Sequence, residues 1–145
     1  IITVMKASSD LERMADHAVS VAKSTIRVKG QTRIPDIEKE ISDMSDYVKK
    51  MVDNVLVAYV KTDEKDARTI ANMDQRVNDY FNRIYNATIK NMQANPETVI
   101  SGTDYLNVAS YLERIGDYVT NICEWIVYLA TGKITELNTN HNEIF

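Results

Sequence analysis

The sequence predicts an all-α protein: an antiparallel three-helix bundle, plus one helix from a preceding, incomplete three-helix bundle. Three observations lead there. Apolar residues recur three and four apart through almost the whole chain, the spacing that gathers them on one face of a helix. Glycine (4) and proline (2) are too scarce among 145 residues to furnish the turns of an all-β sandwich. A short string is also duplicated, LERMAD at 11–16 and LERIGD at 112–117, inside two helices whose apolar columns stay in phase.

The elements follow in chain order. A first helix, from Ile1 to about Val28, carries two columns: Val4, Leu11, Ala18 and Ala7, Met14, Val21, Val28. Gly30, with Pro35 shortly after, should end it, because proline lacks an amide donor and disfavours a helical residue before it. From Pro35 to about Tyr59 the columns are Ile34, Ile41, Val48, Val55 and Ile37, Met44, Met51, Ala58, one continuous buried face. Ile70, Val77 and Ile84, flanked by Met73 and Phe81, give a third helix over roughly 64–93, with Asp63 as its cap. Asn95, Pro96 and Glu97 read as N-cap, first-position proline and first-turn acid of the last helix. That helix carries Tyr105, Leu112, Val119, Ile126 and Val108, Ile115, Ile122, Leu129, and Gly132 closes it. Gly102 marks either a kink or a restart. Gly116 sits inside the strongest helical pattern, at a cost of about 1 kcal/mol relative to alanine, and calls for close approach by a neighbouring helix. The expected organisation is one helix over 1–30, a bundle over 34–131, and a loose polar tail over 132–145.

The repeat bears on completeness. The second copy is preceded by two helices with which it closes a three-helix bundle; the first copy has none before it. A lone amphipathic helix cannot bury its stripe. Either it packs on the other three to make a self-sufficient four-helix bundle, or its own two helices, about 70 residues, precede Ile1. The chain opens on isoleucine rather than methionine, and the second alternative is the expectation.

Composition excludes several classes. A net charge of −4 argues against nucleic acid as a partner. The longest apolar run, Trp125 to Ala130, falls far short of a bilayer span. Lys6, Asp10, Glu12 and Arg13 interrupt the first segment too early for a secretory signal. The single cysteine, Cys123, cannot form an internal disulfide, and the expected compartment is the cytoplasm.

Polar chemistry concentrates in the repeat. Advancing 100° per residue from the Leu112 stripe places Glu113, Asp117, Asn121 and Glu124 together on the far side of the last helix. Glu12 and Asp16 take the same angles in the first copy. An acid pair at i and i+4 lies about 6 Å apart, so it needs either solvent or a cation. One reading is a solvated polar face moderated by Arg13 and Arg114. The other is a hard-cation site, since carboxylates without histidine or cysteine select such ions. Asp74, on the shoulder of the third-helix stripe, could face the same acids, and Asn78 could add an oxygen. A metalloenzyme or metal store is the competing functional class. Catalytic patterns are missing: there is no Glu-x-x-His pair, no Gly-rich phosphate loop, no GxSxG and no HExxH. The histidines are His17 and His141; His17 lies off the acidic face and reads as a surface or interface residue. Cys123 reads as a small buried hydrophobe. Trp125 and Tyr128 fall off the core stripe and should pack against a second bundle or a partner.

These residues carry a resemblance. DLERMADHAVSVA (10–22) and YLERIGDYVTNICEWIVYLATGKI (111–134) resemble the two signature helices of the PhoU family. The segment MDQRVNDYF (73–81) is similar to the family's D-x-x-V-D helix, and NMQANPET (91–98) to its inter-helix turn. The resemblance implies two tandem three-helix bundles, of which this chain would hold the last helix of the first and all of the second. It implies a non-enzymatic, homodimeric cytoplasmic regulator at the inner face of the bacterial membrane. Such proteins act with the phosphate ABC transporter through its ATPase subunit (PstB-like) and with a sensor kinase (PhoR-like), restraining phosphate uptake and keeping phosphate-starvation genes off. Some members bind iron or other metals, and the matching positions here are Glu12, Asp16, Asp74, Glu113 and Asp117. Two departures remove ligands: Asn78 stands at the second acid of the third-helix motif, and Ser20 where the second copy has Asn121.

Overall fold

A computed structural model describes residues 2–137; the end of the predicted loose tail, 138–145, lies outside the described residues. Four helices run in order, α1 (Ile2–Val28), α2 (Pro35–Lys61), α3 (Glu64–Ala94) and α4 (Val99–Thr131), with a 3₁₀ turn at Pro96–Thr98 before the last. No strand occurs among the described residues.

The helix ends have local causes. The Asp63 carboxylate accepts the Asp66 N–H at 3.0 Å and caps α3. Gly132 takes φ 72°, and its N–H donates to the Tyr128 carbonyl at 2.8 Å, closing α4. Asn95 caps differently from the expectation. Its side-chain amide turns back to Asn91, and its backbone carbonyl instead accepts the Thr98 N–H (2.9 Å) and hydroxyl (2.6 Å). Gly102 neither kinks nor restarts α4: a Cβ there would lie 2.7 Å from the Met92 sulfur, so the glycine admits the end of α3.

Helices α2, α3 and α4 pack pairwise in up-down-up order. Met44, Met51 and Val55 of α2, Val77 and Ile84 of α3, and Val119, Ile122 and Ile126 of α4 are enclosed almost completely. Each such side chain contributes about 1.5–3 kcal/mol on leaving water. Leu129, expected in this core, is 45% exposed. A seven-residue column drifts about 20° per heptad on a straight helix, and by its fourth member the column Val108, Ile115, Ile122, Leu129 has rotated out.

Helix α1 packs along α4 and makes no comparable contact with α2 or α3. The pair is antiparallel: Arg27 meets Asp104, while Arg13 and His17 lie against Tyr118. His17 and Tyr118 occupy equivalent repeat positions and stack on each other, ring centroids 5.6 Å apart, so the two copies cross at matching points. The two columns of α1 therefore part company. Ala7, Met14 and Val28 are buried, whereas Val4 (57%), Leu11 (38%) and Ala18 are exposed. The link from α1 to α2 is pinned to α4 by Tyr105, whose hydroxyl accepts the Ile34 N–H at 2.9 Å and donates to the Glu38 carboxylate. Arg33 pairs with the same carboxylate and holds it below its ordinary range, while burial pushes the Tyr105 hydroxyl up to about 12.

Candidate functional site

On three sides α4 is covered by α1, α2 and α3. Its polar stripe consequently occupies a trough rather than open surface. Glu113, Asp117, Asn121 and Glu124 are all half-buried, deeper than the solvated face that helical phase alone implies. Asp74 is deeper still than the expected shoulder position, 3% exposed. Its Oδ1 lies where a Cβ on Gly116 would come within 2.8 Å, and Val77 Cγ1 within 3.4 Å. The glycine of the second copy, LERIGD, thus admits α3, and specifically an α3 carboxylate. Asp74 of α3 therefore meets the stretch of α4 that carries Glu113, three residues before Gly116, and Asp117, directly after it.

The first copy is placed otherwise. Glu12 and Asp16 are exposed on α1. Among the described residues, no group of three or more histidine, cysteine or carboxylate side chains is gathered so as to hold a metal ion. The all-oxygen donors suit a hard cation, but as placed they do not close its shell.

Two potential reactive groups are disarmed by their surroundings. Cys123 is fully enclosed, and burial, then the charges of Glu124 and Asp74, push its thiol up to about 12. A thiol held protonated is not a nucleophile. His17 stacks between Tyr111 (5.7 Å) and Tyr118 (5.6 Å); burial and the Arg114 charge lower its pKa, so it sits neutral as a packing element.

Sequence reasoning missed the chemistry of the α1–α4 junction. Thr3, Asp10, His17 and Ser24 form a heptad column on α1, all buried or half-buried. Their repeat equivalents on α4 are Asp104, Tyr111, Tyr118 and Trp125, likewise buried or half-buried. The signal was a polar column flanking an apolar one, which a hydrophobic count passes over. At one end of the junction Arg27 reaches Asp104 at 3.0 Å. At the other a polar cleft of about 250 Å³ is lined by Lys6, Asp10, Arg13, Glu124, Trp125 and Tyr128, among others. Trp125 and Tyr128, edge-to-face at 6.1 Å, thus meet α1.

Comparison with known proteins places this architecture. A family model described as the PhoU domain matches residues 41–126. A phosphate-specific transport system accessory protein PhoU homolog from Clostridium acetobutylicum is 41% identical over 138 residues, 95% of this chain. The homolog of the same description from Streptococcus pneumoniae serotype 4 is 35% identical over the same share. The crystal structure of the phosphate transport system regulatory protein PhoU from Streptococcus pneumoniae superposes with a TM-score of 0.84 at 32% identity, covering 92% of this chain. PhoU from Pseudomonas aeruginosa gives 0.84 at 28% identity, covering 91%. The chain spans 63% of the length of each of these four relatives. No described helix is long and apolar enough to cross a membrane. With the duplicated LERxxD, the four-helix architecture and the family model in agreement, the chain belongs to the PhoU family.

Proposed function

We propose that this chain is part of a cytoplasmic regulator of phosphate transport and phosphate-starvation signalling that works by protein–protein contact. The observation that carries this reading is its similarity, over 95% of its length, to proteins named as accessory to phosphate-specific transport. The geometry is in keeping with a binding role: among the described residues the Cys123 thiol is buried and protonated and the His17 imidazole is stacked between two tyrosines. The proposed partners are the ATPase subunit of the phosphate ABC transporter and a sensor kinase, through which the protein is peripheral to the membrane. Asp74, Glu113 and Asp117, with Glu12 and Asp16 on α1, enter as candidate ligands for iron or another hard cation that organises a surface.

Deletion of the encoding gene in its host, grown in abundant phosphate, tests the regulatory role. Raised alkaline phosphatase and excess phosphate accumulation are expected, and an unchanged response overturns it. Metal analysis tests the ligand assignment separately. Purified protein should retain metal that a Glu113→Ala, Asp117→Ala double variant loses; equal metal in both removes these residues from the reading.

A further inference from the structure

The chain does not leave the bundle where α4 ends. Gly132, at φ 72°, adopts the left-handed conformation that stops the helix, and the Thr131 side chain turns the next residue back. Its hydroxyl donates to the Val127 carbonyl at 2.7 Å and accepts the Lys133 N–H at 3.2 Å, which fastens the reversal to the last turn of α4.

Beyond this hook the segment lies back against the helices. Ile134 lines the polar cleft between α1 and α4 together with Glu124, Trp125 and Tyr128. Thr135 and Leu137 are half-buried, and Leu137 packs against the hydrophobic core. Of the charges that raise the Glu124 carboxyl, that of Glu136 is the largest, so the segment passes beside Glu124.

The root and the rest of this segment are held very unequally. Hydrogen bonds fix Thr131, Gly132 and Lys133 to the end of α4. No hydrogen bond links Ile134, Thr135 or Leu137 to a helix among the described residues, and Ile134 is 82% exposed. Leu137 is the side chain that anchors the segment to the core. A fixed root, one apolar anchor and a backbone left to solvent describe an element that opens at far lower free energy than a packed helix.

We propose that residues 133–137 form a releasable strap: docked, it closes one side of the α1–α4 cleft, and released beyond its hook, it exposes Glu124, Trp125 and Tyr128 while every helix stays folded. The strap thereby governs when the polar–aromatic end of α4 is presented. That surface joins the edge-to-face pair of Trp125 and Tyr128, 6.1 Å apart, to the polar Asn121 and Glu124. Release is a property of this chain alone and does not depend on the regulatory reading above.

Trp125 is the one tryptophan of the chain, and its quenching by acrylamide reads the strap directly. The whole chain is titrated with urea while quenching and helical ellipticity are followed together. Quenching should rise in a step of its own, at lower urea than the loss of ellipticity. Leu137→Gln removes the anchor; without urea it should be quenched more than the wild type at unchanged ellipticity, and the early step should vanish. Ile134→Gln should move the early step to lower urea. Ile100→Gln, at a 61% exposed position near the other end of α4, should behave as the wild type. A single wild-type transition, with quenching and ellipticity changing together, overturns the proposal, as does an Ile100→Gln profile that matches Leu137→Gln. An early step that persists unchanged in Leu137→Gln belongs to α1, which lines the same cleft, and overturns it too. If Leu137→Gln loses ellipticity, Ile134→Gln decides, because so exposed a side chain does not support the core; an unmoved early step then counts against the strap.

Discussion

Helices α1 and α4 share a signature string and a register, yet they live in different surroundings position by position. On α4, Leu112 (4%), Val119 (0%), Cys123 (0%) and Val127 (0%) are enclosed between the helices that pack on it. Their equivalents on α1 are Leu11 (38%), Ala18, Ala22 and Ile26 (67%), all exposed. Tyr105, which pins the α1–α2 link, corresponds to Val4, 57% exposed. Gly116, with an α3 carboxylate against it, corresponds to Ala15, which is exposed. An amphipathic face states what a helix can bury, not what covers it. In this chain α4 has a helical pair on that face and α1 does not, while both copies spend their polar–aromatic columns on each other.

The sharpest way to break the comparison is to cut the same side chain at both places. Leu112→Ala should destabilise by about 3 kcal/mol, the cost of an enclosed leucine truncated to leave a cavity. Leu11→Ala should cost clearly less, about 1–2 kcal/mol, because Leu11 keeps 38% of its surface in solvent and its loss leaves no enclosed cavity. Urea unfolding of both variants checks the pair, and equal losses would mean that α1 is as well covered as α4.

Next in size is the glycine exchange. Gly116→Ala gains helix propensity but drives a methyl to within 2.8 Å of Asp74 Oδ1, so the net result should be a loss of about 1–3 kcal/mol. Ala15→Gly, the mirror change, should cost only about 1 kcal/mol through backbone entropy. Asp74→Ala should restore tolerance to alanine at 116, read as recovery of the thermal midpoint in the double variant.

Tyr105→Phe should cost about 1–2 kcal/mol, since it leaves the buried Ile34 N–H without its acceptor. The change should appear as faster hydrogen exchange at Ile34. The smallest effect is Asp63→Ala, about 1 kcal/mol for the lost α3 cap, seen as a lower urea midpoint with an unchanged slope. The exposed α1 column also predicts self-association of the 145-residue chain, which sedimentation would detect and Leu11→Glu should reverse.

Local features were legible in the sequence because local physics decides them. The limits of the first three helices, the Asp63 cap and the Gly132 stop each rest on a few adjacent residues, and the structure places them as the pattern requires, whereas the last helix starts at Val99, after a 3₁₀ turn that takes Pro96. Features that depend on a helix a hundred residues away were not. The half-burial of Glu113 and Asp117 depends on α1 crossing α4, and the depth of Asp74 depends on how closely α3 approaches Gly116. The Asp10–Glu124 cleft is legible only once the two repeats are known to face each other antiparallel. Leu129 shows a smaller effect, a heptad column extrapolated one turn too far along a straight helix.

Native-state hydrogen exchange along α1 and α4 tests the contrast between the two copies most directly. The amides of α4 from about Val108 to Ile126 should exchange only by global unfolding. Those of the N-terminal half of α1, before His17, should open at a markedly lower free energy. Equal protection in both helices would contradict the account.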